Sequence, residues 1–499
     1  MGAASLRRIR SLLDIYSRRP LNRFAVIGLM ALGAWLLVRG APARSTVGAI
    51  PFVVLIWANH DRFFATVEQL LERHAWLVLA VPLLVYAVPL IAMPPTASDD
   101  LLRDIGQVFW PGGYRDMYVH TALPPVELYP AFDRVMGALA KWIGAPGAMW
   151  TAQAVACAGF ALVFALAARR LLHGQSMWAV LTLAALVLVL QLISGRLSLA
   201  RPEIFMTIWA LSALLARGPA TTAAWAVAGL ALGSGYWLAP LYYPAALLLP
   251  LTWRARASVF TAMFLSWVGL WWWMTDGQLL AAMRWTLEQV ANRIPGLGVL
   301  ENESIVNVML APQMLALLFA SAWASRHGGD ARLLLLAGFF LLSNQARYGG
   351  IVAPLLALYA LSAARRLQLR WPGAPRSIAA ALGSVCLAWV SAGWPRYGDL
   401  PDFVLPAGAV VLTGFDQASY SIPFANLGAV RVSPAFEVGA AEPAVQRLVL
   451  DLARGGLDCA GLEGLGFTHL VESSLRGSPP PCLRLAQMKD GWRLWRIVE

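Results

Sequence analysis

Apolar runs long enough to cross a bilayer, allowing for tilt, recur along this chain at about 13 places, and short segments between them carry most of its charge. They read as 24–38, 46–58, 75–93, 149–167, 177–194, 204–216, 222–235, 239–253, 258–274, 307–324, 333–343, 351–363 and 378–394. With 59% of its residues hydrophobic and only 13% charged, the chain is far too apolar for an ordinary soluble domain. Lipid is the solvent it is built for. The formal net charge of +12 does not point to nucleic acid, because lysine occurs only at Lys141 and Lys489 and the arginines cluster between apolar runs.

Those clusters set the topology. With the N-terminus inside, alternation gives the cytoplasm the arm bearing Arg7, Arg8, Arg10, Arg18, Arg19 and Arg23, then Arg169-Arg170, Arg217, Arg254 with Arg256, Arg326 with Arg332, and Arg365, Arg366, Arg370 and Arg376. Every turn agrees with the positive-inside rule. The expected location is therefore multi-pass in a bacterial inner (plasma) membrane, N-terminus cytoplasmic and C-terminus extracytoplasmic. The arm from Leu6 to Arg19 is expected to lie along the inner leaflet. Ala41-Pro42-Ala43 has the small-residue form of a signal-peptidase site, and cleavage there would leave the rest of the topology unchanged.

Segments 95–148, 195–203, 275–306, 343–350 and everything after 395 then lie outside. Composition shifts once, near Trp394-Pro395, dividing a transmembrane domain (1–394) from an extracytoplasmic domain (395–499). Strand-like runs at 409–412, 467–472 and 492–498 flank a helical pattern at 443–454 with apolar Val445, Leu448, Val449 and Leu452, the signature of a small α/β fold. Cys459 and Cys482 both fall in this domain. In an oxidising compartment they could pair; the alternative is two thiols kept reduced.

The spans are almost free of ionisable groups, and charges gather at their outer ends instead. Pro94-Pro95-Thr96-Ala97-Ser98-Asp99-Asp100-Leu101-Leu102-Arg103-Asp104 follows the third span. As a helix it places Asp100 and Asp104 on one face and Asp99 and Arg103 on another. A carboxylate at such a boundary can take a proton from a hydroxyl, or hold a divalent cation (Mg or Mn) that draws in a phosphate. It can equally be a helix start capped by Ser98, its acids offsetting the dipole. The loop continues through Tyr114, Asp116, His120 and Glu127, polar and aromatic groups suited to carbohydrate or headgroup contact, or to an interfacial belt. Arg196, Arg201-Pro202-Glu203 and Arg347-Tyr348 put guanidinium groups on short outer loops, where they suit phosphate; Arg201-Pro202-Glu203 also reads as a helix start with proline first.

The acidic pair after an early outward span, the long outer loop with its aromatics, the outer Arg201-Pro202-Glu203, Arg347-Tyr348 and the C-terminal outer α/β domain together resemble the GT-C glycosyltransferases. That group includes protein O-mannosyltransferases, lipid A aminoarabinose transferases and arabinofuranosyltransferases. The resemblance implies an α-helical polytopic membrane fold, a polyprenyl-phosphate-linked sugar as donor, and a glycan, glycolipid or protein acceptor. It makes Asp99 or Asp100 the base and Arg201 and Arg347 the ligands of the donor phosphate, supported by Arg196, Arg284 and Tyr348. Arg103, Asp104, Tyr114, Asp116, His120 and Glu127 would be loop contacts. Two other classes compete. A lipid or saccharide transporter would move its cargo without glycosyl transfer, and a non-catalytic anchor presenting 395–499 would tolerate alanine at Asp99, Asp100, Arg201 and Arg347.

Overall fold

The computed structural model describes residues 73–74, 76–79, 99–121, 129–172, 178–281, 283–284, 312–343, 348–364, 402–413, 416–434, 441–454, 456–473 and 479–498. The expected spans 24–38, 46–58 and 378–394, most of 75–93, and the expected boundary at 394–395 lie outside the described residues.

Where they are described, the apolar runs form helices. Three short ones come first: α1 (Asp99–Gln107), α2 (Tyr114–Met117) and α3 (Pro130–Ile143). The bundle proper follows with α4 (Ala145–Leu171), α5 (Trp178–Leu199), α6 (Pro202–Ser212), α7 (Pro219–Gly233), α8 (Trp253–Met274), α9 (Pro312–His327), α10 (Ala331–Leu342) and α11 (Gly349–Ala364). Among the described residues, α4 and α8, of 27 and 22 residues, are long and apolar enough to cross a membrane. At roughly 1.5 Å per residue both exceed a hydrocarbon core of about 30 Å.

The run at 239–253 is not one α-helix. Ala239–Leu248 winds as a 3-10 helix with Pro244 inside it, since Pro240 and Pro244 lack the N–H groups that an α-helical ladder uses. The chain then turns, and Thr252 caps α8 by accepting from the Ala255 amide at 3.4 Å. A second difference concerns 195–203. Helix α5 runs on to Leu199, so Arg196 lies within a helix and the expected outer loop shrinks to Ala200 (φ 44°) and Arg201. Between α3 and α4 only Gly144 intervenes, at φ 80°, and Pro146 opens the next helix.

Small residues and indoles set the packing of the bundle. Trp209 of α6 and Trp225 of α7 stack with ring centroids 4.2 Å apart, and each indole N–H donates to the other's carbonyl, at 2.7 and 3.0 Å. Such close approach needs Gly229, where a Cβ would stand 2.3 Å from the Trp209 ring. Trp267 and Trp271 of α8 both donate to the Gly233 carbonyl, at 3.1 and 2.8 Å, so the end of α7 is satisfied by side chains rather than by water.

The C-terminal segment is a mixed five-stranded sheet of order β2-β1-β3-β5-β4, with β1 (Val410–Thr413), β2 (Arg431–Val432), β3 (His469–Glu472), β4 (Leu483–Lys489) and β5 (Trp492–Ile497). β1 pairs in parallel with β2 and β3, and the β3–β5 and β4–β5 pairs are antiparallel. Helices α13 (Pro443–Arg454) and α14 (Cys459–Gly464) pack on one face through Val445, Leu448, Leu452 and Leu462. On the other face lie Ala418 and Ile422 of α12 (Asp416–Ala425), joined by Met117 and Tyr118 from the segment after α1. The Cys459–Cys482 disulfide is formed, with Cα atoms 6.0 Å apart.

The two parts are stitched together. Helix α12 packs on α1, where Pro423 lies against Gly106, and the Val119 amide donates to the Val432 carbonyl at 3.0 Å, carrying the segment after α2 along the sheet edge.

Candidate functional site

Helix α1 carries the acidic segment that stands out in the sequence. Asp99 and Asp100 are its first two residues, and the helix touches α3, α4, α5 and α12. The side chains of Asp99, Asp100, Tyr114 and Arg196 lie outside the described residues, as do Glu127 and Arg347 altogether.

Further along α1, Leu101, Leu102 and Ile105 are buried in the bundle core. Asp104 lies among them at 1% exposure, its carboxylate 3.1 Å from the Arg103 guanidinium. Asp104, expected as a loop contact, is thus buried within the bundle. Arg103 lies between two aromatic rings, 5.9 Å from the Tyr129 centroid and 5.7 Å from that of Tyr420 on α12.

From Tyr129 a chain of rings crosses this end of the bundle. Tyr129 stacks with Tyr236 at 6.0 Å, Tyr236 meets Tyr242 edge-on at 6.2 Å, and Tyr242 lies 6.4 Å from Tyr348. Phe340 closes the lattice, 5.3 Å from Tyr242 and 5.4 Å from Tyr348. The rings link Arg103 to Tyr348, two positions 245 apart in sequence that were expected to serve one site. The Tyr348 ring is itself 2% exposed, packed as part of the lattice.

Arg201 and Glu203 open α6 on either side of Pro202, and here both sequence readings meet. Proline does stand at the first helical position, with Arg201 extended before it at φ −71° and ψ 158°. Yet both charged residues are buried, at 6% and 8% exposure, which a surface helix start would not require. Phe205, one turn on, lies 6.0 Å from Phe132 of α3, tying this end of α6 to α3.

Two other expected contacts, Asp116 and His120, have local partners. Asp116 accepts the Gly112 amide at 2.7 Å and closes its own turn. His120, at φ 53°, shares a hydrogen bond with the Leu465 carbonyl at 2.8 Å, its Nδ1 lies 3.6 Å from Glu442, and its carbonyl accepts the Glu442 amide. It joins loop to domain. Arg284 is exposed.

Sequence reasoning named Tyr129 among the loop aromatics but missed Asp133, Tyr236, Tyr242, Tyr420 and Gln107. Asp133 is 2% exposed on α3 and shares its buried stripe with Met136, Gly137 and Ala140. That i, i+3, i+4, i+7 pattern is visible in the sequence and places an acid on an apolar face. Gln107 is 1% exposed with neither amide atom bonded among the described residues, and the Glu203 Oε2 also meets no donor there. Each such group costs about 1–3 kcal/mol unless water or a polar ligand completes it. Among the described residues no three His, Cys, Asp or Glu side chains come together.

No family model and no curated protein matches this chain. Among solved structures it is similar to the oligosaccharyltransferase of Archaeoglobus fulgidus in its apo form, with a TM-score of 0.47 and 12% identity over 79% of this chain and 69% of that one. It is similar to the same extent to archaeal oligosaccharyltransferase AglB from Archaeoglobus fulgidus in complex with an inhibitory peptide and a dolichol-phosphate, at 12% identity over 80% of this chain and 69% of that one. A likeness at that level is too slight to assign this chain a fold family or a chemistry.

Proposed function

We propose that this chain is an integral membrane glycosyltransferase that moves a sugar from a polyprenyl-phosphate donor to an acceptor at the outer face of the membrane. The observation that carries this reading is the aromatic lattice that links α1, with its leading acids, to Tyr348 at one end of the bundle, with Arg201 and Glu203 buried at the start of α6.

In this reaction Asp99 or Asp100 takes the proton of the acceptor hydroxyl as its oxygen attacks the anomeric carbon. The bond from that carbon to the donor phosphate oxygen breaks, and its electron pair leaves with the lipid phosphate. Charge grows on that phosphate as it departs, and Arg201 and Arg347 stabilise it by charge-assisted hydrogen bonds. The ring lattice supplies the rigidity that holds base and phosphate ligands in register.

Transfer of labelled sugar from a polyprenyl-phosphate donor by purified Asp99→Asn and Asp100→Asn proteins tests the assignment. One of the two is expected to lose about 100-fold to 10,000-fold in rate with insertion and thermal stability retained. Near-wild-type turnover in both would remove the base from this pair. Donor binding weakened by Arg201→Ala, with the inactive Asp variant still binding donor, supports the division of labour. A transporter instead moves the lipid across vesicles with no product formed.

A further inference from the structure

At the opposite end of the bundle, a cavity of about 210 Å³ opens between the end of α4, the 3-10 turn after α6, the end of the Ala239–Leu248 helix and the start of α10. A bridging water needs only roughly 10–15 Å³ on such a scale. Its polar wall is Arg170, Asp330 and Arg332, and its apolar wall includes Leu214, Leu248 and Pro250.

The polar wall is ordered. Asp330 caps α10 by accepting the Arg332 amide at 3.1 Å and takes the Arg332 Nε at 2.9 Å, while its own amide donates to the Ser362 hydroxyl at 2.8 Å. Burial alone would raise the Asp330 carboxyl, but hydrogen bonds and charge from Arg332 outweigh it and hold it below the usual carboxylate range. Asp330 is therefore ionised, and one carboxylate faces two guanidinium groups. Arg170 uses Nη1 alone on the Leu214 and Ala216 carbonyls, the latter at 2.8 Å, so its Nε and Nη2 have no protein acceptor among the described residues. Nearby, Arg256 adds a further positive charge, fixed on the Leu249 carbonyl at 2.9 Å.

We infer that this cavity binds the phosphodiester of an anionic phospholipid headgroup, with Arg170 as its principal ligand; that the lipid belongs to the inner leaflet rests on the topology read from the arginine clusters. A guanidinium whose Nε and Nη2 meet no protein acceptor among the described residues fits phosphate oxygens. Basic pockets between helices at the cytoplasmic interface suit such headgroups, and the Leu214, Leu248 and Pro250 wall suits the glycerol and first methylenes better than a freely hydrated ion.

The test is thermal unfolding of the full chain in nanodiscs of phosphatidylcholine, with phosphatidylglycerol titrated in. The unfolding midpoint is expected to rise with phosphatidylglycerol, and Arg170→Gln, which keeps an N–H donor for the carbonyls, is expected to need about fivefold more of the lipid for the same rise. Arg170→Gln should match wild type in phosphatidylcholine alone, which shows that it folds, and Arg169→Gln should respond to phosphatidylglycerol as wild type does. An equal midpoint in both lipids would overturn the proposal, as would inorganic phosphate in phosphatidylcholine discs reproducing the whole rise. Both disc leaflets carry the lipid, so this result is independent of orientation. Labelling of Arg217→Cys in intact cells by an impermeant maleimide decides orientation separately, and labelling from outside would overturn the inner-leaflet assignment.

Discussion

The bundle has an Asp–Arg pair at each end, and the two are built for different tasks. Arg103 and Asp104 are neighbours on α1, 3.1 Å apart, with side chains 15% and 2% exposed, and Arg103 is boxed by the Tyr129 and Tyr420 rings. Asp330 and Arg332 sit at a helix start, 19% and 34% exposed, beside a cavity. Desolvation makes the first pair intolerant of losing a partner, so it fixes where α1 stands. The second stays partly hydrated, and its excess positive charge is available to a ligand. The first pair also depends on the α/β domain, because Tyr420 belongs to α12, whereas the second is assembled wholly from bundle helices.

Removing the carboxylate at each end is the most direct way to break this contrast. Asp104→Ala takes from Arg103 the anion beside it in a dry setting and is expected to cost about 3–5 kcal/mol. Asp330→Ala removes a cap and a partly solvated pair, expected to cost only about 1 kcal/mol. Chemical or thermal unfolding of both variants in the same detergent measures the ratio, and equal losses would mean that burial does not separate the two ends.

The dependence of the outer-loop end on the domain can be sharpened through the disulfide. Cys482→Ser is expected to destabilise the domain by about 3 kcal/mol, given a sequence separation of 23 between the cysteines. Amide exchange in Asp99–Gln107 should quicken because α12 loosens against it, while exchange in Ala331–Leu342 stays as it was. Quickening at both ends alike would show that the bundle responds as one unit.

How much of this was legible in the sequence follows from what each signal depends on. The helix at 443–454 matches its expected bounds because its apolar period faces a single sheet, and the runs at 409–412, 467–472 and 492–498 fall on β1, β3 and β5. β4 was missed because after Leu483 its side chains are exposed on a sheet edge, leaving no alternation to read. β2, Arg431–Val432, is too short to carry a period. The 3-10 winding of Ala239–Leu248 was hidden because its apolar composition is that of any span. At the site, Arg201, Tyr348 and α1 were legible as charges and rings at the ends of apolar runs. The lattice that joins them was not, since Tyr129, Tyr236 and Tyr242 come from separate segments and only packing brings them together.

The smallest effect concerns His469, and it probes the same comparison by pH. β3 and β5 place His469 opposite Arg496, and the imidazole Nδ1 shares a 2.8 Å hydrogen bond with the Thr468 hydroxyl. Burial, reinforced by the Arg496 guanidinium, holds the His469 pKa below its ordinary 6.5. The unfolded chain then takes up a proton here at a pH where the folded domain does not. Stability from this site is therefore complete above about pH 6.5 and declines as pH falls through the lower, folded value. His469→Gln, which cannot take a proton, should flatten that part of the domain's stability profile. Because α1 leans on the domain through α12, exchange at Asp99–Gln107 should follow the same acid limb, and exchange at Ala331–Leu342 should not. An acid limb unchanged in His469→Gln would assign it to another group and remove His469 from the coupling between domain and bundle.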